Sequence, residues 1–155
     1  MELIDIGCNL THDSFDDDRE RVIERARDAG VKQFIVTGAS TEGMQKAYEL
    51  SQQRPGELFA TAGVHPHRAD TFTEQTGKLI RELAAHPEVV AVGETGLDYF
   101  RDFSPRDVQQ EAFAQHMNIA AETDLPMFLH LRDAHEDFYA MLKESRGRLS
   151  DVVVH

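Results

Sequence analysis

The sequence predicts an α/β protein whose strands form one parallel sheet, and three observations indicate this class. Short apolar runs of roughly four to six residues recur along the chain, and stretches with helical periodicity separate them. These runs show no alternation with polar residues, which is typical of parallel strands covered on both faces. Each run begins roughly 25 to 37 residues after the one before it, which is the length of a strand–helix–strand unit with a right-handed crossover.

Six apolar runs rich in Val, Ile or Phe are predicted to be strands. They are Leu3–Ile6, Gln33–Thr37, Leu58–Ala62, Val89–Gly93, Pro126–His130 and Asp151–His155. No linker, low-complexity tract or block of like charge divides the series. We therefore expect residues 1–155 to form a single domain of five βα units and a sixth strand.

Start and stop signals predict helices between the strands. The first helix is expected to end at Gly30, since glycine readily adopts the left-handed conformation that follows a helix. The segment Ser104–Asp107 offers a capping hydroxyl, a first-turn proline and a carboxylate at the positive end of the helix dipole. The apolar residues of 108–120 would then face the sheet. Asp133, with Glu136 three residues later, predicts the start of the last helix.

These elements fit either an open doubly wound sheet or the first part of an eight-stranded barrel. Length favours the open sheet, because a whole barrel needs about 250 residues. The end of the sequence favours the barrel: it stops at His155, directly after Val152–Val154, without a covering helix or the polar segment that natural termini usually carry. We interpret the sequence as a TIM-barrel-type (β/α) repeat that is truncated after the sixth strand.

Composition and charge exclude several functional classes. The chain is 41% hydrophobic and 28% charged, which indicates a globular protein, and no apolar run approaches the roughly 20 residues needed to cross a bilayer. No basic segment precedes an apolar stretch at the start, and the one cysteine has no partner for a disulfide. We therefore expect a cytoplasmic protein without membrane contact. The net charge of -12 repels polyanions, so that any binding of nucleic acid must be local.

Ionisable side chains follow four consecutive predicted strands, at the edge where α/β proteins place their functional groups. In chain order they are His65 and His67, Glu94 and Asp98, His130 and Arg132, and His155. Neighbouring parallel strands lie about 4.8 Å apart, so side chains from adjacent strand ends can converge. A glutamate and neutral imidazoles at that range form a site for a divalent cation.

Four of the segments at these strand ends together resemble the TatD family of metal-dependent deoxyribonucleases. They are GVHPH at 63–67, GETGLDY at 93–99, PMFLHLRDA at 126–134 and VVVH at 152–155. The likeness runs in order along the whole chain. It implies a TIM barrel of the metal-dependent hydrolase superfamily that uses Mg²⁺, or else Mn²⁺ or Zn²⁺, to hydrolyse DNA. The bacterial type is typically a 3′ exonuclease on single strands, so the implied partner is single-stranded DNA or a 3′ end.

The resemblance also assigns roles to individual residues. By it, Glu94, His130 and His155 are the catalytic metal ligands, while His65 and His67 bind the substrate. Arg132 joins these two histidines as a substrate-binding residue that contacts phosphate. Asp98 and Asn9 orient the ligands without binding the metal themselves.

Two features depart from the family pattern. Many members carry two histidines at the end of the first strand that hold a second metal, whereas this chain has Gly7 and Asn9 there. The resemblance therefore implies one metal, or one tight and one weak site. The family's aspartate on the eighth strand has no counterpart within the 155 residues, and we expect little turnover from these residues by themselves.

The sequence leaves alternatives open. A different hydrolase of the same superfamily would act on an amide or ester, since a metal-activated water attacks carbon as well as phosphorus. A non-catalytic metal-binding α/β module would keep the strand-end residues and hydrolyse nothing. The segment Tyr99–Arg101 has residue types that stack on bases, but its side chains could equally pack against the barrel rim. We expect the full-length protein to be a monomer.

Overall fold

The computed structural model describes residues 1–155 and contains one six-stranded parallel sheet whose strand order follows the chain order. The strands are β1 Leu3–Cys8, β2 Val31–Val36, β3 Leu58–Ala62, β4 Val89–Asp98, β5 Met127–Arg132 and β6 Val152–Val154. The helices are α1 Arg19–Asp28, α2 Thr41–Gln52, α3 Glu74–Ala84, α4 Arg106–Thr123 and α5 His135–Ser145. The predicted α/β class, with five βα units and a sixth strand, is confirmed.

The sheet is curled rather than flat. In a flat sheet β1 and β5 would be about 19 Å apart, because four strand spacings of about 4.8 Å would separate them. Here the two strands face each other, and a Cβ atom added to Gly7 of β1 would lie only 2.9 Å from the Phe128 ring of β5. The strands therefore follow the wall of a partial barrel, with β1 and β6 as its two open edges.

The concave face of this sheet encloses a small apolar cavity of about 210 Å³. Its lining includes Ile6, Ile35, Val90 and Phe128, which come from four different strands. The main core lies on the convex face, between the sheet and the helices. There Phe113 of α4 and Phe138 of α5 stack at 5.3 Å between ring centroids, and both rings are buried.

The expectation of uniformly buried strands is wrong for the two edges of the sheet. Leu3, Ile4 and Ile6 of β1 are between 45% and 56% exposed, and Val153 and Val154 of β6 are almost as open. Each edge strand has only one neighbouring strand, so one flank of its backbone and part of its apolar side chains lack a covering element.

The predicted helix boundaries hold to within a few residues. Gly30 follows α1 with a φ of 105°, as expected. Two of the predicted helix caps are wrong. In one case the predicted side chain bonds to another group, and in the other a different residue occupies the cap position. The Ser104 hydroxyl donates to the Asp70 carboxylate at 3.2 Å, and Ala134 rather than Asp133 immediately precedes α5. No helix combines the length and the apolar character needed to cross a bilayer.

Candidate metal centre

The strand β4 is longer than predicted and carries the functional segment within it. Sequence analysis placed Glu94 just after the strand, whereas β4 continues to Asp98 and pairs with β5 as far as Arg132. The pairing shifts register between Gly93 and Thr95, so Glu94 lies at an irregularity of the β4–β5 ladder. At this irregularity the side chain of Glu94 can point to the carboxyl edge of the sheet, and the pairing of β4 with β5 resumes beyond it.

Glu94 is the centre of a cluster of imidazoles from three other strand ends. Its Oε1 lies 2.7 Å from Nε2 of His155, 3.3 Å from Nδ1 of His130 and 3.6 Å from Nε2 of His65. One ligand atom each from His65, Glu94 and His130 lies within 4.8 Å of the others. Two ligands that each sit about 2.1 Å from a tetrahedral ion are about 3.4 Å apart, so these separations fit a single divalent cation.

The structure brings together all of the predicted metal ligands and adds one residue to them. His65, which the resemblance placed among the substrate contacts, lies in the ligand-capable group. His155 faces Glu94 from the end of β6 and stacks on Phe128, with ring centroids 4.8 Å apart. His67 points instead to Asp98, at 2.6 Å. The geometry thus separates the two histidines of the GVHPH segment.

Asp98 links this cluster to the turn that follows β4. The residue is 1% exposed, and its Oδ2 lies 2.6 Å from Nε2 of His67 and 3.2 Å from Nε2 of His130. Its Oδ1 accepts the backbone N–H groups of Phe100 and Arg101 at 3.1 and 2.8 Å. His130 therefore lies between two carboxylates, with Nδ1 toward Glu94 and Nε2 toward Asp98. These are the contacts that an orienting role for Asp98 requires.

The pKa values of the cluster follow from burial and from these contacts. Burial lowers the pKa of His65 to about 4, despite the neighbouring Glu94, and keeps the imidazole neutral near pH 7. Burial by itself raises the pKa of Glu94, but His130, His65 and His155 outweigh it and lower this pKa to about 2. The hydrogen bond to Glu94 raises the pKa of His130 against the effect of burial. A cation and a proton therefore compete for the His130 imidazole.

Glu94 and His65 of this cluster, together with His67, line an open cavity of about 500 Å³ at the carboxyl edge. Asn9 lines this cavity, as does Arg68, which the sequence analysis did not single out. Arg68 makes no ion pair with any carboxylate, so its guanidinium is free to meet an anion. The Cys8 thiol, by contrast, donates to the Ile35 carbonyl, and burial raises its pKa to about 12. The thiol is thus no nucleophile at neutral pH.

Two buried polar residues of α4 support the site and were missed from the sequence. Gln109 accepts the Asp98 N–H at 2.9 Å and donates to the Asp98 and Ser104 carbonyls. His116 accepts the Val64 N–H at 3.0 Å, next to His65, while its other ring nitrogen contacts the Ala112 carbonyl. A polar residue within a helix ordinarily faces solvent, so the sequence held no signal for either role.

His116 predicts a loss of stability in mild acid. Burial lowers its pKa from 6.5 to about 4. Between these two pH values, the unfolded chain therefore binds a proton that the folded chain does not bind. The neutral His116 thus contributes about 3 kcal/mol to the free energy of unfolding. This contribution is complete above pH 6.5 and is lost as the pH falls toward 4. In urea denaturation at pH 7 and pH 5, His116→Gln should show a smaller pH difference than wild type.

The exposed His86 provides the matched control for this experiment. His86→Gln should retain the full pH difference of the wild-type chain. Because His65 and Glu94 titrate in all three proteins, the comparison between variants isolates His116. Equal pH differences in His116→Gln and in wild type would contradict the assignment.

Comparison with known proteins identifies relatives along the whole chain. Residues 4–155 match the model of a protein family described as TatD related DNase. The chain is 45% identical over 153 residues to a protein of Pantoea sp. (strain At-9b) named 3'-5' ssDNA/RNA exonuclease TatD, and 46% identical to one of the same name from Rahnella sp. (strain Y9602). These matches cover 99% of this chain but 59% and 58% of the relatives.

Solved structures show the same similarity in three dimensions. A TatD homologue from Escherichia coli K12 superimposes with a TM-score of 0.84 and 29% identity, over 92% of this chain and 56% of the other. A TatD family hydrolase from Entamoeba histolytica gives a TM-score of 0.86 and 29% identity, over 95% of this chain and 55% of the other. The chain thus spans somewhat more than half the length of the proteins it matches.

Proposed function

The chain belongs to the TatD related DNase family, and on that basis we propose that it carries the metal-binding part of a divalent-metal-dependent nuclease. The proposed reaction is hydrolysis of phosphodiester bonds in single-stranded DNA or RNA from the 3′ end, as the names of the curated relatives suggest. The observation that carries the proposal is the convergence of three imidazoles on one oxygen of Glu94.

We propose that Glu94, His65, His130 and His155 supply the ligands of the cation. When bound, a divalent ion would lower the pKa of a water molecule and polarise a phosphoryl oxygen. The family resemblance favours Mg²⁺, with Mn²⁺ or Zn²⁺ as alternatives, and imidazole nitrogens suit Zn²⁺ better than the other two ions. One ligand-capable group of this kind is present in the structure, which supports a single tightly bound ion.

The remaining side chains of the cleft have complementary roles in this proposal. Arg68 and Arg132 would neutralise phosphate charge locally in a protein whose net charge is -12. His67 would contact the substrate, and its hydrogen bond to Asp98 fixes the ring. Asp98 would orient His130, and Asn9 would line the cavity beside the ligands. We further propose that residues 1–155 act as one domain of a monomeric, cytoplasmic protein.

Metal titration and hydrolysis together test this function. Calorimetric titration of the purified chain with Mg²⁺, Mn²⁺ and Zn²⁺ should show one saturable site. Hydrolysis is best measured with single strands labelled at either end, for the chain itself and for a chimera that joins it to the part of the Pantoea relative outside the matched region. We expect the chimera to shorten the strands from the 3′ end in the presence of metal. The chain by itself, whose sheet has two open edges, should hydrolyse the strands much more slowly than the chimera.

The same experiment separates the alternatives. Hydrolysis of amide or ester substrates without cleavage of phosphodiesters would favour another hydrolase of the superfamily. Metal binding by a folded chimera that cleaves none of these substrates would favour a non-catalytic metal-binding module. Absence of metal binding to the chain would contradict the proposed ligands.

A further inference from the structure

An exposed aromatic ring with unpaired arginines lies beside the candidate metal centre. Phe100, in the turn after β4, is 56% exposed, although large apolar side chains are normally covered. The Cζ atom of Arg132 lies over this ring at 3.9 Å from its centroid, and that of Arg101 is 5.9 Å away. The Arg132 guanidinium covers part of the ring, and the exposed part of the Phe100 side chain leaves surface for another planar group.

The two arginines at this ring have no acidic partner. Six of the twelve arginines of the chain form ion pairs with carboxylates, in a chain with 28 acidic and 16 basic residues. Arg101 and Arg132 form none, and both are exposed. Two uncompensated guanidiniums at one apolar ring are complementary to an anion that carries an aromatic group. A nucleotide has both parts, a phosphate and a planar base.

The turn that carries the ring is anchored to the metal centre. The N–H groups of Phe100 and Arg101 both donate to Oδ1 of Asp98, whose other oxygen contacts His67 and His130. Arg132 lies two residues after His130 on β5, so the two side chains leave the same face of the strand. One buried carboxylate and one strand therefore fix the ring and its arginine next to the cluster.

We propose that Phe100, Arg101 and Arg132 form a stacking subsite for one unpaired nucleobase and its phosphate. The base stacks on the open face of the Phe100 ring, and the guanidiniums of Arg101 and Arg132 contact the phosphate. The subsite rests on the proposed nuclease function and deepens it. It accepts any base, since every base has a π-face, and it requires the strand to be unpaired because a duplex leaves no face of an internal base free.

Binding measured without metal tests the subsite independently of hydrolysis. The probes are fluorescently labelled homopolymers of thymidine and of uridine and an abasic deoxyribose-phosphate strand of equal length. By anisotropy, the wild-type chain should bind both base-bearing strands about tenfold more tightly than the abasic strand. Phe100→Leu should remove this preference, and Phe100→Tyr should keep it. Arg132→Gln should weaken binding of all three strands. Binding of only one base-bearing strand would assign the subsite to DNA or to RNA alone.

Tyr139 provides the matched control, since it is an exposed aromatic residue of α5 with a cation, Lys143, 5.9 Å from its ring centroid. Tyr139→Leu should leave the base preference unchanged. The subsite would be wrong if wild type bound all strands equally or not at all, or if Phe100→Leu kept the preference. Metal-dependent hydrolysis together with such a result would leave the nuclease proposal intact. A Phe100-dependent preference in the chain, combined with a chimera that hydrolyses none of the strands, would support the subsite and contradict the nuclease.

Discussion

Glu94→Gln should abolish saturable binding of divalent metal, with a fall in affinity of at least about a hundredfold. The substitution replaces an anionic oxygen, which three imidazole nitrogens approach within 3.6 Å, with a neutral amide of the same shape. The amide retains the packing of the side chain but removes the negative charge that a cation requires. Calorimetric titration of the chain measures the effect directly, and hydrolysis by the chimera should fall in parallel.

The same substitution has a second readout that needs no metal. Because the hydrogen bond to Glu94 raises the pKa of His130, Glu94→Gln should lower that pKa, which NMR titration of the imidazole resonances would detect. The matched control is Glu122→Gln, which removes an exposed carboxylate of α4 that pairs with Arg81 of α3 and contacts none of the cluster residues. It should alter neither metal binding nor the titration of His130. Full metal affinity in Glu94→Gln would show that the ligands lie elsewhere.

Gly96→Ala should destabilise the fold by at least about 3 kcal/mol and lower the melting temperature by roughly 10 °C. Gly96 has a φ of 139°, which L side chains rarely adopt, and a Cβ atom there would overlap the carbonyl oxygen of His130. Relief of that overlap requires β4 and β5 to separate at the point where both carry site residues. Thermal unfolding followed by circular dichroism would report the loss, and metal affinity should decrease as well.

Gly147→Ala is the corresponding control, because a Cβ atom at Gly147 meets nothing within 4 Å and its φ lies outside the restricted range. Its melting temperature should remain within about 2 °C of wild type. A similar melting temperature for Gly96→Ala would mean that the β4–β5 backbone relaxes without cost. In that event, the close approach of the two strands would not hold the site together.

The fold was largely predictable from the sequence because buried parallel strands leave a strong apolar signature. The strand β3 matches its predicted bounds of Leu58–Ala62, since both of its neighbours are strands and four of its five residues are buried. The edges could not be predicted in the same way. The apolar composition of β1 predicts a buried strand. Its exposure depends on which strands lie beside it, and that is a property of the whole sheet.

The convergence of the strand-end side chains was predictable from the sequence, and their detailed geometry was less so. The residue types at the strand ends indicated Glu94, His130 and His155, because their positions follow directly from the strand pattern. The position of His65 among the ligands depends on how the β3 end turns, which no local pattern reports. Gln109 and His116 support the site from a helix, and only the packed structure shows that these polar side chains point inward.

Because the strand order in the sheet follows the chain order, the groups of the candidate metal centre become available one after another during synthesis. Each strand pairs with the one made just before it, so a newly made βα unit finds its partner already present when it leaves the ribosome. His65 is synthesised first, followed by Glu94, then His130 and finally His155. Three of the four groups are thus in place before β6 is added, so a nascent chain holds most of the proposed ligands before translation of this region is complete.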